Sequence, residues 1–199
     1  MKTRLLIASI LAPLLLAGAA PAAGQMKTAV FAGGCFWSVE KFFEAKAGVA
    51  KAVSGFSGGT LKNPTYNKGF GQPGHDGHLE VVQVTYDPAK VSYAQLVDHF
   101  FRHIDPTDNR GQFCDLGPSY RTAVFVANDE ERRIAEATRG SIARALNAKV
   151  VTEVRGAAPF WPVGPEHQDF AKRDPNGRYT MYSRGCGRDA AIKAVWAGR

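Results

Sequence analysis

From residue 28 onward, apolar positions switch repeatedly between two periods. A short apolar run at 28–32 predicts a buried strand. Gly33-Gly34 breaks it. Phe36, Val39, Phe43 and Ala47 then recur at spacings of three and four, a helical stripe that Gly48 ends. Residues 49–56 predict a second strand, closed by Ser57-Gly58-Gly59. Residues 79–86 form a strong strand pattern, stopped by Asp87-Pro88. Ser92 with Gln95 three residues on is a capping box, and it opens a helix carrying Leu96, Phe100 and Ile104 on one face. A strand at 120–127, a helix at 129–146 with a charged outer face, and a strand at 149–154 follow. The remainder reads as irregular, aromatic and Gly-rich, apart from short helices near 165–172 and after Asp189.

Strands alternating with helices predict one α+β domain, an α/β sandwich with a mixed sheet covered by helices and a long irregular C-terminal tail. Two connections, 61–77 and 105–119, exceed ordinary loop length, and long loops in compact domains tend to carry function. The first residues follow another logic. Lys2 and Arg4 precede an apolar run from Leu5 to Gly18, and Ala17-Gly18-Ala19-Ala20-Pro21-Ala22-Ala23 supplies small residues at its exit. This is the pattern of a secretory signal peptide, with an uncleaved anchor as the alternative. We expect a signal peptide at 1–23, a domain at 24–199, and an exported, periplasmic protein that is free of the membrane after processing.

Composition narrows the class. With 45% hydrophobic and 22% charged residues, the chain is neither disordered nor fibrous. A net charge of +7 permits acidic partners but does not demand nucleic acid. Three cysteines are too few for a disulfide scaffold, and their odd number leaves at least one thiol unless chains cross-link.

Cys35 is the most pointed of the three. It follows Gly34 at a strand-to-helix turn, where free backbone N–H groups and the helix dipole favour a thiolate, although a buried structural cysteine fits the same place. Phe36 and Trp37 suit a small apolar ligand beside it, or ordinary core. Glu80 sits in the 79–86 strand on the face of Val82, Val84 and Tyr86. Burial there would raise its pKa and let it donate a proton near neutrality. His75 and His78 with cysteines lack zinc-site spacing, so no metal is expected. Tyr66 and Tyr120 close the two long loops and read equally as packing residues. Cys186 lies between glycines and near two arginines, in Arg184-Gly185-Cys186-Gly187-Arg188, which suits thiol–disulfide exchange, or a static bridge made on export.

Gly33-Gly34-Cys35-Phe36-Trp37 with Glu40 resembles the signature of A-type peptide methionine sulfoxide reductases. Further matching segments include Gly55-Phe56-Ser57-Gly58-Gly59, Asn63-Pro64-Thr65-Tyr66, Gly77-His78-Leu79-Glu80, Asp115-Leu116-Gly117 with Tyr120-Arg121, and Pro159-Phe160-Trp161-Pro162 before His167-Gln168. They run in family order over most of the chain. The resemblance implies a ferredoxin-like core and reduction of methionine S-sulfoxide, free and in proteins, as protein repair under oxidative stress. It implies Cys35 as attacking thiolate, Glu80 as proton donor, Tyr66, Tyr120 and Asp115 around the sulfoxide oxygen, and Phe36, Trp37 and Gly34 around the methyl. Cys35 would become a sulfenic acid and then an intramolecular disulfide with Cys186, with Cys114 as the rival. A thioredoxin-like dithiol would restore the enzyme, which would hold no bound cofactor and act as a monomer. The chain departs from many relatives at Phe70, Cys114 and Gly164-Pro165. Competing readings are a thiol–disulfide or peroxide oxidoreductase, against which the absence of C-x-x-C argues, and a non-enzymatic module that captures exposed methionine.

Overall fold

The computed structural model describes residues 25–69 and 72–197, so the expected signal peptide lies outside it. The chain runs β1 (Lys27–Gly33), α1 (Phe36–Glu44), β2 (Val49–Ser57), β3 (Leu79–Tyr86), α2 (Tyr93–Arg102), β4 (Thr122–Val126), α3 (Asp129–Leu146), β5 (Glu153–Gly156) and β6 (Trp161–Pro162). It ends in α4 (Phe170–Arg173), α5 (Arg178–Cys186) and α6 (Arg188–Trp196). The sheet order is β6-β2-β3-β1-β4-β5. Its pairs are antiparallel except β4 with β5. The β1-α1-β2-β3-α2-β4 run with strand order 2-3-1-4 is the ferredoxin-like split βαβ arrangement.

The period-2 alternation of the central strands divides the core. Ala29, Phe31, Val82 and Val84 face the helices and pack with Val39, Phe43, Leu96, Phe100 and Ile142. Ala32, Leu79, Val81, Ala123 and Phe125 form a smaller cluster with Ala158 and Phe160 packed against it. Phe31, Phe36, Phe43 and Phe100 are fully buried. Each such side chain contributes roughly 1.5–3 kcal/mol. α2 starts where its capping box predicts, with the Gln95 N–H donating to Ser92 Oγ at 3.2 Å and the Ser92 N–H to Gln95 Oε1 at 2.9 Å. α3 has the predicted bounds. Asn128 caps it, three acidic residues fill its first turn against the dipole, and Asn147 ends it in the left-handed region.

Three expectations shift. Residues 118–120 form a 3-10 turn opened by Pro118, so β4 begins at Thr122. β5 begins four residues later than expected, because the Val151 N–H donates to the Pro106 carbonyl at 2.8 Å and Thr152 Oγ1 bonds Thr122 Oγ1 at 2.9 Å, both outside the strand ladder. The stretch between the helix near 165–172 and the helix expected after Asp189, read as irregular, forms α5, and the expected helix after Asp189 is α6. Tyr179, Tyr182 and Cys186 are spaced i, i+3, i+7, the stripe of one helix face, and the glycines on either side of α5 act as its boundaries rather than as loop markers.

Candidate active site

β1 ends at Gly33 and α1 begins at Phe36, so the two-residue turn between them presents Cys35 at the helix N-terminus. Gly34 has φ +83°, and a Cβ there would lie 2.6 Å from Gln112 Cβ, so the turn needs glycine for both conformation and space. Gln112 is fully buried and ties the second long loop together. Its side chain accepts from the Asp105 N–H at 2.9 Å and donates to the Asp105 and Gly111 carbonyls, each at 2.8 Å. That loop then turns back through a short hairpin, Gly111–Gln112 against Asp115–Leu116. Asp115 thereby comes beside Cys35.

Glu80 lies on β3 with its side chain on the helix-facing side, as alternation predicted. It is 1% exposed and accepts the Phe36 N–H at 3.0 Å. Burial, and secondarily the Asp115 charge, push its carboxyl up to about 8, against the pull of the Phe36 N–H. Glu80 is therefore largely a neutral acid at pH 7. Tyr66 and Tyr120 both feel the charges of Glu80, Cys35 and Asp115, and burial raises both phenols, Tyr66 to about 12. The two long loops converge on one polar corner: Cys35, Glu80, Tyr66, Tyr120 and Asp115 are mutual electrostatic neighbours.

Phe36 and Trp37 divide the apolar work. Phe36 is fully buried, 6.0 Å from the Tyr66 ring and 5.8 Å from Phe56. Trp37 is half-buried and stacks on Phe170 at 4.0 Å, with His167 at 5.8 Å and Tyr182 edge-on at 6.0 Å. His167 also lies 4.1 Å from Tyr66. Gln168 fixes this wall to the sheet, accepting from the Ser54 N–H at 2.9 Å and donating to the Ser54 and Val163 carbonyls at 2.8 and 2.9 Å. Buried Glu40 accepts from Ser54 Oγ and the Asp169 N–H, each at 3.1 Å. The loop histidines are structural. His78 accepts from the Gly59 N–H and pairs with the Leu61 carbonyl, and His75 stacks on Phe56 at 4.7 Å.

The thiol differs from expectation. The Trp37 N–H does reach Cys35, as the helix N-terminus predicts, yet Cys35 is only 6% exposed and its thiol is pushed up to about 12. Burial is the main cause, followed by Glu80. The Tyr182 hydroxyl, in hydrogen-bonding contact with Cys35, pulls the other way without offsetting burial. Desolvation outweighs the helix terminus, so the resting group is a thiol.

Sequence reasoning missed two residues here. Tyr182 on α5 donates to Asp115 Oδ2 at 2.6 Å and covers Cys35. Its place in a helical stripe was the available signal. Arg188 opens α6, is buried, and donates through Nη2 to the Gly33 and His103 carbonyls, both at 3.1 Å. Nothing in the sequence distinguishes it from a surface arginine. Cys114 and Cys186 are bonded to each other, and Cys35 is free and buried. The two candidates for resolving Cys35 are thus paired together, with neither joined to it.

The family model for Peptide methionine sulfoxide reductase matches residues 27–199. A peptide methionine sulfoxide reductase of Caulobacter vibrioides is 47% identical over 97% of this chain and 97% of its own length. The solved methionine sulfoxide reductase A of Corynebacterium diphtheriae is 31% identical, with a TM-score of 0.64 over 75% of this chain and 76% of that one. Mxr1 of Saccharomyces cerevisiae in complex with Trx2 shares the fold, at 20% identity and a TM-score of 0.51 over 76% of this chain and 87% of that one. A thiol in a glycine turn, a neutral buried acid and a tyrosine-lined corner have the chemistry that removal of a sulfoxide oxygen requires, and the chain belongs to the peptide methionine sulfoxide reductase family, whose activity is the thiol-dependent reduction of methionine sulfoxide.

Proposed function

We propose that Cys35 attacks the sulfoxide sulfur while Glu80 gives its proton to the oxygen and takes up the proton the Cys35 thiol loses, with Tyr66 and Tyr120 donating hydroxyl hydrogen bonds to the oxygen and Asp115 completing the corner. The observation that carries this reading is the convergence of Glu80, held neutral near pH 7, with both tyrosines on the one free thiol. General-acid help of this kind is worth about 10²–10⁴ in rate. Phe36 and Trp37 receive the methyl, which favours the S epimer of free or protein-bound methionine sulfoxide. Oxygen transfer leaves methionine and a Cys35 sulfenic acid.

Cys186 then displaces hydroxide from Cys35, releasing water and forming a Cys35–Cys186 disulfide. Tyr182 contacts Cys35, and Cys186 follows it by four residues on the same helix face, about 6 Å along the axis. A one-turn displacement of α5 therefore exchanges one for the other. The Cys114 thiolate next attacks Cys186, freeing Cys35 and producing the Cys114–Cys186 bridge of the structure. This combines the two alternatives for the resolving thiol in one relay. A thioredoxin-like dithiol closes the cycle, a role supported by the Mxr1 complex with Trx2.

Replacing Cys35 with serine should abolish turnover of free methionine sulfoxide under dithiothreitol. Retained turnover overturns the assignment. We also propose export, on the pattern of Lys2, Arg4 and the apolar run before Ala23. N-terminal sequencing of secreted material should find a start between Ala20 and Gln25, and a retained Met1 would refute cleavage.

A further inference from the structure

A groove of about 490 Å³ opens beside the catalytic corner. Residues 64–67 form one wall, and residues 162–164 with Glu166 form the other. Tyr66 belongs both to this groove and to the corner around Cys35. A methionine sulfoxide held at the corner within a peptide must carry its neighbours out of the site, at roughly 3.3 Å per extended residue. The groove meets the corner at Tyr66, so it lies on that path. Pro64, Pro162 and Val163 give it stiff, apolar sides.

Glu166 is the one charged residue lining the groove among the described residues. It sits in the 3-10 turn Pro165–His167, with its side chain 68% exposed. Its carboxylate lies over Gly164, where a Cβ would overlap both carboxylate oxygens, so glycine at 164 makes room for it. Arg173 on α4 holds the turn, its Nη2 donating to the carbonyls of Pro165, Glu166 and Gln168 at 3.2, 2.9 and 2.7 Å. Among the described residues, the cationic candidate within 4 Å of the carboxylate is His167, at 3.7 Å. Burial holds that imidazole below its ordinary value, against the pull of Glu166 and with Arg178 and Arg173 adding to the effect, so it is neutral at pH 7. The Glu166 charge is therefore uncompensated, and the neighbouring His167 ring lies 4.1 Å from Tyr66.

We propose that this groove seats the peptide flanking an oxidised methionine, and that Glu166 selects a lysine or arginine next to it. A basic neighbour adds an ion pair at the rim, whereas an acidic one adds a like charge. Arg173 and Arg178 do not line the groove, so Glu166 is the charge that a residue seated there meets. The inference rests on the reading of Cys35, Glu80 and Tyr66 above and adds a substrate class to it.

The test measures kcat and KM of the processed chain under dithiothreitol on capped pentapeptides with a central methionine S-sulfoxide among glycines. Lysine, glutamate or glycine fills the position before or after it. Lysine should exceed glutamate in kcat/KM by at least about threefold at one of the two positions, through KM rather than kcat. Glu166→Gln should bring that ratio close to unity, and Glu166→Lys should invert it. Raising the salt concentration should shrink the parent's preference, since the pair is exposed. Equal or reversed values for lysine and glutamate at both positions overturn the proposal, as does a preference that survives Glu166→Gln. A glycine pentapeptide whose KM is no lower than that of singly capped methionine sulfoxide overturns the groove as the seat. Failure of the underlying reading looks different, because the parent then turns over neither the peptides nor free methionine sulfoxide.

Discussion

Glu80→Gln separates the proton-donor role of Glu80 from its structural role. Glutamine keeps the volume and an oxygen to accept the Phe36 N–H, which Glu80 holds at 3.0 Å. It removes the acidic proton and the possibility of charge. Moving the carboxyl from 4.5 to about 8 corresponds to roughly 5 kcal/mol against the buried anion. The folded protein holds this proton more tightly than the unfolded chain. Its contribution to stability is therefore complete below the unfolded value near 4.5, and is lost progressively as pH rises through about 8. Urea unfolding of both proteins at pH 5, 6, 7 and 8 should show Glu80→Gln gaining on the parent by several kcal/mol across that range. Turnover of free methionine sulfoxide at pH 7 should fall by about 10²–10⁴ in the same variant. A stability difference that stays flat with pH would falsify the buried neutral acid. An unchanged rate would remove Glu80 from the chemistry even if the stability result held.

With Cys114 and Cys186 bridged, Cys35 is the free thiol, and its ionisation lies near 12. Its alkylation by iodoacetamide should be slow at pH 7 and rise about tenfold per pH unit into the alkaline range, and a plateau near neutrality contradicts the buried thiol. Tyr182→Ala uncovers the sulfur and should speed that alkylation at least about tenfold, a loss of shielding set by access as well as ionisation; an unchanged rate would show that α5 is not the cover. Arg188→Ala leaves the Gly33 and His103 carbonyls without their charged donor and should lower stability to urea by roughly 2–4 kcal/mol. A change within error would mean that neither bond matters. Ser92→Ala removes one half of the α2 capping box and should reduce stability by about 1 kcal/mol without altering turnover. A larger loss, or an activity change, would contradict a purely local cap.

Local patterns along the chain specify the order of elements from β1 to β5, the start of α2, both ends of α3, the face of β3 that carries Glu80, and Cys35 at a glycine turn. These follow from short-range rules. Periods of 2 and 3.6 decide which residues share a face, and caps are written within four residues. The motif order also identified the family. Properties that depend on surroundings follow only from how distant segments pack together. A thiol at a helix N-terminus reads as a thiolate in sequence, but desolvation by β3, the Asp115 hairpin and α5 outweighs the local N–H groups, and no local pattern reports burial contributed by residues 45 to 150 positions away. Tyr182 and Arg188 belong to the site for the same reason, since their partners Asp115 and Gly33 are distant in the chain. The pairing of Cys114 with Cys186 is likewise a matter of where a hairpin tip and a helix end meet, which cysteine counting leaves open among three choices. Local chemistry was legible because it is carried by neighbours in sequence. Protonation, access and disulfide partnership were not, because each is a property of the space around a group.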